Sequence, residues 1–407
     1  MRWPAAWKNP ALLSLLNATP VNCLVLDAGA DLGAVADAAK QKGLAVTAGA
    51  PMGATLSKGV WPGIAIDTGG GASAGPTGVP WLDSNGWKIR LERALHAESE
   101  CWIDAAPKPA RVSPEAYAMA YMDAAAFGGR WVITLDEGTA AAIAGGTGTE
   151  HWNKLMGAAR FFESRQEWAD FEPEAVVGVV SDFAGENDFL GGEVLNLLAR
   201  TNQQYRVIVK GKSTDRAWRG LRAILYVDAQ PPSKELRQRI EELVKGGVLL
   251  IAGPKWGTVS GAPVRDQEHP RYEIRTVGKG RVAIAKAALD DPYLVANDSV
   301  VLVSHRHDLV RLFNAGSVNT LLTASRDRLS MVLHLLFYAD RGPQDASVRI
   351  AGKYRFAQLR TPGTAAPRQL ELQPSGLGAE LHLPPMEQYA AVELEAGGGM
   401  NVLPIHA

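Results

Sequence analysis

Cysteine is scarce in this 407-residue chain: there are two, Cys23 and Cys101, and two thiols cannot build a disulfide framework. Both lie in apolar segments, Val21-Asn22-Cys23-Leu24-Val25 and Glu100-Cys101-Trp102-Ile103, and read as small buried hydrophobes. Histidine is also sparse, with eight in all. Before residue 172 only His96 and His151 occur, and neither follows a strand-like run, so a zinc site finds no ligands at usable spacing. An excess of either charge is missing as well. Forty-two Lys and Arg stand against 43 Asp and Glu, net −1, with no basic run, which leaves no electrostatic basis for binding nucleic acid or an anionic membrane. No stretch approaches the ~20 apolar residues of a membrane span, and Met1-Arg2-Trp3-Pro4 lacks the apolar core of a signal peptide. The compartment stays open between cytoplasm and a periplasmic or secreted location. No G-x-S-x-G elbow and no Ser-His-Asp arrangement is present.

Hydrophobic residues make up 46% and charged residues 21%, globular proportions, and the length exceeds what one core usually holds. Three units are expected. Residues 1–172 alternate strand-like runs (21–26, 44–47, 63–66, 79–82, 101–103 and 131–135) with helical ones (32–42, 115–127 and 150–162). Such alternation implies parallel strands joined by helices. A closed (β/α)8 barrel takes eight strands and about 250 residues, so the expectation is a shortened or degenerate βα barrel. Residues 173–318 repeat the pattern, with strands at 176–180, 205–209, 223–227, 248–252 and 281–285 and helices at 189–201, 233–245 and 306–314. That order suits a flavodoxin-like doubly wound domain. In residues 319–407 the period becomes two, over 329–337, 347–350, 356–360, 369–372, 379–383 and 389–394, the pattern of a small antiparallel β-sandwich.

Chemistry is best sought in a recurrence. Five strand-like runs of the first unit end in aspartate: Leu26-Asp27, Ile66-Asp67, Leu82-Asp83, Ile103-Asp104 and Leu135-Asp136, the last followed by Glu137. In parallel βα folds functional groups gather past the carboxyl ends of the strands, so these carboxylates are expected around one acidic pocket. Each also has a plain alternative, since aspartate after a strand often caps a helix or opens a turn. Paired carboxylates serve glycoside hydrolysis, one as acid and one as nucleophile or base. A carboxylate cluster also serves a metal-dependent hydrolase. Trp61, Trp81, Trp87, Trp102 and Trp131 favour sugar, because pyranose rings stack their C–H faces on indole; core packing is the other use of tryptophan. The expected assignment makes Asp104 nucleophile or base and Asp136 or Glu137 the acid. Asp27, Asp67, Asp83 and Asn85 bind sugar hydroxyls, and Trp81 and Trp87 stack. No metal and no cofactor is expected. The glycine-rich stretch 69–78 leads into a strand-like run, not a helix, so it reads as a loop and not as a phosphate cradle. His305 and His307 read as surface or interdomain residues.

Several segments of the second unit resemble the family 42 β-galactosidases: Val179-Val180-Ser181-Asp182, Leu225-Tyr226-Val227-Asp228 and Gly247-Val248-Leu249-Leu250-Ile251-Ala252-Gly253. The run Leu383-Pro384-Pro385-Met386-Glu387-Gln388-Tyr389-Ala390-Ala391-Val392-Glu393-Leu394 is similar to the last strands of glycosidase accessory sandwiches. The resemblance implies a TIM-type barrel, an amidotransferase-like trimerisation domain without its cysteine, a C-terminal β-sandwich, a carbohydrate substrate and a homo-oligomer through the middle domain. That family's Asn-Glu pair and second glutamate match no position of the first unit, so its catalytic residues do not carry over. A non-catalytic carbohydrate-binding or assembly protein on a decayed barrel is the alternative.

Overall fold

The computed structural model describes residues 1–64, 82–108, 110–264, 268–339 and 341–397. It is a mixed α/β structure with several sheets. In the first unit β1 (Cys23–Val25) pairs parallel with β2 (Ala45–Thr47), and β3 (Ala54–Lys58), β4 (Glu100–Asp104) and β5 (Arg130–Trp131) form a second parallel sheet in that order. The N-terminal residues join the two sheets. Arg2 N–H donates to Ile133 O, Trp3 N–H to Val25 O, and Val25 N–H to Met1 O. The result is an open array, β2-β1-residues 1–3-β5-β4-β3, and among the described residues no barrel closes.

Helices α1 (Gly33–Gln41), α2 (Gly86–Leu95), α3 (Pro114–Ala126), α4 (Glu137–Ala144) and α5 (Thr149–Glu163) accompany this array. Ser113 starts α3: its hydroxyl accepts the Ala116 N–H at 3.2 Å, with Pro114 in the first turn, where its missing N–H costs nothing. Gly128, at φ 78°, follows the end of α3 in a conformation that favours glycine. The runs expected as strands at 63–66 and 79–82 lie mostly outside the described residues, as do the loop 69–78, Asp67 and Trp81. Gly63 makes an isolated antiparallel bridge to Asp83.

Strand β6 (Glu172–Pro173) leaves the first unit. Seven strands follow: β7 (Val177–Ser181), β8 (Tyr205–Val209), β9 (Ala223–Tyr226), β10 (Leu249–Ala252), β11 (Ala262–Pro263), β12 (Tyr272–Val277) and β13 (Gly280–Ala285). They lie in the order β11-β12-β13-β10-β9-β7-β8, parallel from β13 to β8. The parallel strands thus run 2-1-3-4-5 in chain order, an arrangement used by doubly wound sheets. Their near-continuous apolar runs follow from burial on both faces by α6 (Asp188–Arg200), α7 (Lys234–Lys245) and α8 (Pro292–Val303).

The rest is antiparallel. Strands β14 (Val310–Phe313), β15 (Val318–Ala324), β16 (Ser330–Phe337), β17 (Ala346–Ala351), β18 (Tyr354–Arg360), β19 (Arg368–Gln369), β20 (Gln373–Ser375), β21 (Gly378–Leu383) and β22 (Tyr389–Ala396) form two sheets, β14-β17-β21-β20 and β19-β18-β22-β16-β15-β6. Two expectations are corrected here. Residues 306–314 are not a helix but a 3-10 turn, His305–His307, followed by β14. Leu309 and Val310 are buried and the side chains beyond them alternate, so strand pairing with Ser347–Ile350 wins over helix. Residues 369–372 are not one strand, because the chain switches sheets there, between β19 and β20.

The six-stranded sheet ties the molecule together. Leu321, Val332, Leu336, Tyr338, Tyr389 and Ala391 pack into the core that holds α3 and α5, while Leu322, Leu333, Leu335 and Val392 pack into the core shared with α6.

Candidate functional site

The expected site residues fall into three separate polar arrangements, of which one lies at the carboxyl ends of strands. The first is built on Arg2. Held in the array by its backbone bond to Ile133, it sends its fork to Asp27, just past β1, and to Asp104, the last residue of β4. The two carboxylates come from distant parts of the chain and meet on one guanidinium. The Asp27 side chain is 53% exposed and that of Asp104 is 22% exposed, so the cluster opens to solvent. Trp61 lies by the same strand end: its indole N–H donates to Ala106 O at 2.8 Å, two residues beyond Asp104, and its ring meets those of Tyr117 and Trp131 edge-on at 5.3 Å. Trp102 and Trp131 themselves are buried in the core.

Asp136 forms the second arrangement. Its side chain caps α4 and is 1% exposed. Oδ1 accepts from Thr139 N–H (2.8 Å), and Oδ2 from the Tyr117 hydroxyl (2.7 Å), the Thr139 hydroxyl (2.7 Å) and the Val112 N–H (3.1 Å). Burial pushes this carboxyl up, but the four hydrogen bonds outweigh it and hold it below its ordinary value. Asp136 is therefore an ionised cap and not a proton donor. Glu137, next in sequence, is exposed in the first turn of α4.

The third arrangement faces the second unit. Asp83 is half-buried, and its carboxyl is pushed up by burial against the opposing pull of Lys108 and Arg200. Glu193, also near Arg200, is pushed up by burial too. Trp87 lies against α6, where a Cβ placed on Gly192 would come within 3.2 Å of its ring. Asn85 is 2% exposed, with its amide occupied by the Val60 backbone and by Asp123. The structure thus brings Asp27 and Asp104 together and places Asp83, Asn85 and Trp87, and Asp136, elsewhere. Among the described residues, cavities open elsewhere that none of these side chains line.

Two contributors carry no motif. Arg2 sits in a segment without periodicity, and its role depends on contacts up to 102 residues away. Asp123, fully buried in α3, accepts from Ser84 Oγ (3.0 Å), Asn85 N–H (2.9 Å), Asn85 Nδ2 (3.0 Å) and the Tyr338 hydroxyl (2.6 Å). A carboxylate in the apolar, alanine-rich stretch that follows Glu115 in α3 is its available signal. Among the described residues no group of three His, Cys, Asp or Glu side chains is placed to hold a metal, and no helix is long and apolar enough to cross a membrane.

No protein-family model and no curated protein matches the chain. Solved structures do. An α-L-fucosidase isoenzyme 2 from Paenibacillus thiaminolyticus superposes over 98% of this chain and 98% of its own, at 10% identity and a TM-score of 0.53. A β-galactosidase from Rahnella sp. R3 matches 76% of this chain and 57% of its own, at 12% identity and a TM-score of 0.51. A rhamnosidase from Novosphingobium sp. PP1Y matches 90% and 38%, at 14% identity and a TM-score of 0.50. At such identities the likeness is one of fold alone, and the fold of this chain is glycoside-hydrolase-like, as its resemblance to β-galactosidases implied.

Proposed function

We propose that this chain binds carbohydrate at the carboxyl ends of the first unit's strands, with Asp27 and Asp104 as hydroxyl acceptors and Trp61 as the aromatic wall. The observation that carries this reading is the single Arg2 fork engaging both carboxylates. A carboxylate accepts well from sugar hydroxyls, and the neighbouring guanidinium N–H groups donate to hydroxyl oxygens. In this reading the middle unit serves assembly.

A second reading is glycoside hydrolysis. Two carboxyls reachable by solvent are available to it, Asp104 at the end of β4 and Glu137 in the first turn of α4. Asp104 then acts as nucleophile or base and exposed Glu137 as acid, since Asp136 is committed to its four donors.

The test is calorimetry with fucose, galactose and rhamnose, alongside turnover of the matching aryl glycosides, on the full chain and on Asp104→Asn and Glu137→Gln. Binding without turnover, weakened about tenfold or more by Asp104→Asn as the loss of a charge-assisted hydrogen bond requires, supports the binding reading. Turnover abolished by either variant establishes hydrolysis instead. Neither binding nor turnover with any sugar overturns both.

A further inference from the structure

A cavity of about 340 Å³ lies where the second unit meets the antiparallel sheets, lined among others by Arg219, Arg222, Arg306, Arg328 and Arg349. It sits at the amino ends of β7 and β9, the end of a doubly wound sheet that ligands do not ordinarily use. Two carboxylates line it as well, Glu174 and Asp308. Both are engaged: Glu174 pairs with Arg328 at 2.8 Å, and Asp308 faces the His305 ring at 2.8 Å. Among the described residues no ion pair takes Arg219, Arg306 or Arg349. Guanidinium groups do not lose their protons in proteins, so this half-enclosed space holds more positive charge than its own carboxylates offset. His307, which also lines the cavity, reflects the same field. Burial first, and then Arg306, Arg222 and Arg281, hold its imidazole below the usual histidine value.

We propose that this cavity is a binding site for the oxyanion group, phosphate or sulfate, of a small ligand. Planar forked donors match such oxygens in paired hydrogen bonds, which is the use for which arginine exceeds lysine. The volume is in the lower part of the range of small-molecule pockets, room for a monosaccharide bearing one such group. Leu377, 61% exposed, together with Ala175 and Ala351, provides an apolar wall for the body of the ligand. The site is separate from the Arg2 cluster and does not rest on the sugar-binding reading given above.

The experiment is calorimetric titration of the full chain, at about 50 mM salt to limit screening. The probes are inorganic phosphate, inorganic sulfate, glucose 6-phosphate, galactose 6-sulfate and neutral galactose. The expected result is binding of the anionic probes, weakened about tenfold or more in Arg349→Gln and in Arg219→Gln and unchanged in Arg368→Gln, which removes an exposed arginine outside the cavity. Sugar esters binding more tightly than the inorganic ions identify an acidic sugar as the ligand, and equal affinities identify a free oxyanion. Arg219 is exposed on a loop, so its variant reports even where Arg349→Gln disturbs β17. No anion binding, or affinities equal in the wild type and Arg219→Gln, overturns the proposal.

Discussion

Burial sets the chemistry of individual side chains in this chain, and three of them give direct readouts. Cys101, 2% exposed on β4, has its thiol pushed up to about 12 by burial and then by Glu92, against Arg93 and Lys88. Cys23, 7% exposed on β1, is pushed up by burial as well. A thiol reacts through its thiolate, so neither cysteine is a nucleophile at neutral pH. With a chromogenic disulfide reagent at neutral pH the native chain should release almost no colour, and in urea it should titrate both thiols. One thiol reacting in the native state at the rate of free cysteine would contradict this account. His334, on β16, is fully enclosed against Trp168 and faces the Tyr389 hydroxyl at 2.8 Å; burial pushes its imidazole down to about 3. The unfolded chain takes up that proton near pH 6.5, whereas the folded chain does not until far lower. Between those values the unfolded state binds more protons, so stability is complete above about pH 6.5 and falls as the pH drops. From pH 7 to pH 5 His334 should cost about 2 kcal/mol, a difference absent from His334→Gln. Urea melts of the two proteins at both pH values measure it, and equal losses would remove His334 as the cause.

Which elements could be read from the sequence follows from how much of each element's stability is local. Helix α7 carries its signals in its own sequence: the Ser233 hydroxyl caps it at 3.2 Å from Leu236 N–H, and Gly246-Gly247 ends it. The parallel strands β7, β9 and β10 are equally legible, because strands buried on both faces are written as near-continuous apolar runs. Strand β3 was missed. Its one large apolar residue, Leu56, is 38% exposed, and pairing with β4 rather than burial holds it in place. Helix α8 was missed too: Val295, Ala296, Ser299, Leu302 and Val303 are buried along one face, but Tyr293, Leu294 and Val301 stand exposed on the other, so the sequence lacks the apolar-polar contrast that marks a surface helix. The candidate site divides in the same way. The positions of Asp27 and Asp104 at strand ends follow from the sequence, but their partners do not; Asp136 instead lies five residues past β5, which stops at Trp131 short of the expected 131–135, and caps α4. Whether an aspartate is a cap, an ion pair or a proton donor depends on Tyr117, Thr139 and Arg2, and the Arg2 contacts are set by tertiary structure.

At the scale of the whole molecule, the antiparallel sheets act as a keel shared by the other two units, and Asp123 is where that sharing is most concentrated. Its carboxylate is pushed up by burial against hydrogen bonds from Tyr338, Asn85 and Ser84. Tyr338 follows β16, 215 residues from Asp123, and the Asn319 amide of β15 lies 3.1 Å from Ser84 Oγ. A buried carboxylate with four donors is stable only while every donor stays in place, so the first unit and the six-stranded sheet should open together. Removing either partner strands the others. Asp123→Asn is expected to cost about 2–4 kcal/mol and Tyr338→Phe about 1–3 kcal/mol. Because both changes break the same bond, their sum should exceed the double variant's loss by about 1–3 kcal/mol. Urea unfolding followed by tryptophan fluorescence and by far-ultraviolet circular dichroism supplies all three values. It also reads the concerted opening directly: the two probes should coincide in the wild type. Additive single losses together with separated transitions in the wild type would mean that the first unit unfolds on its own and that Asp123 serves packing within it.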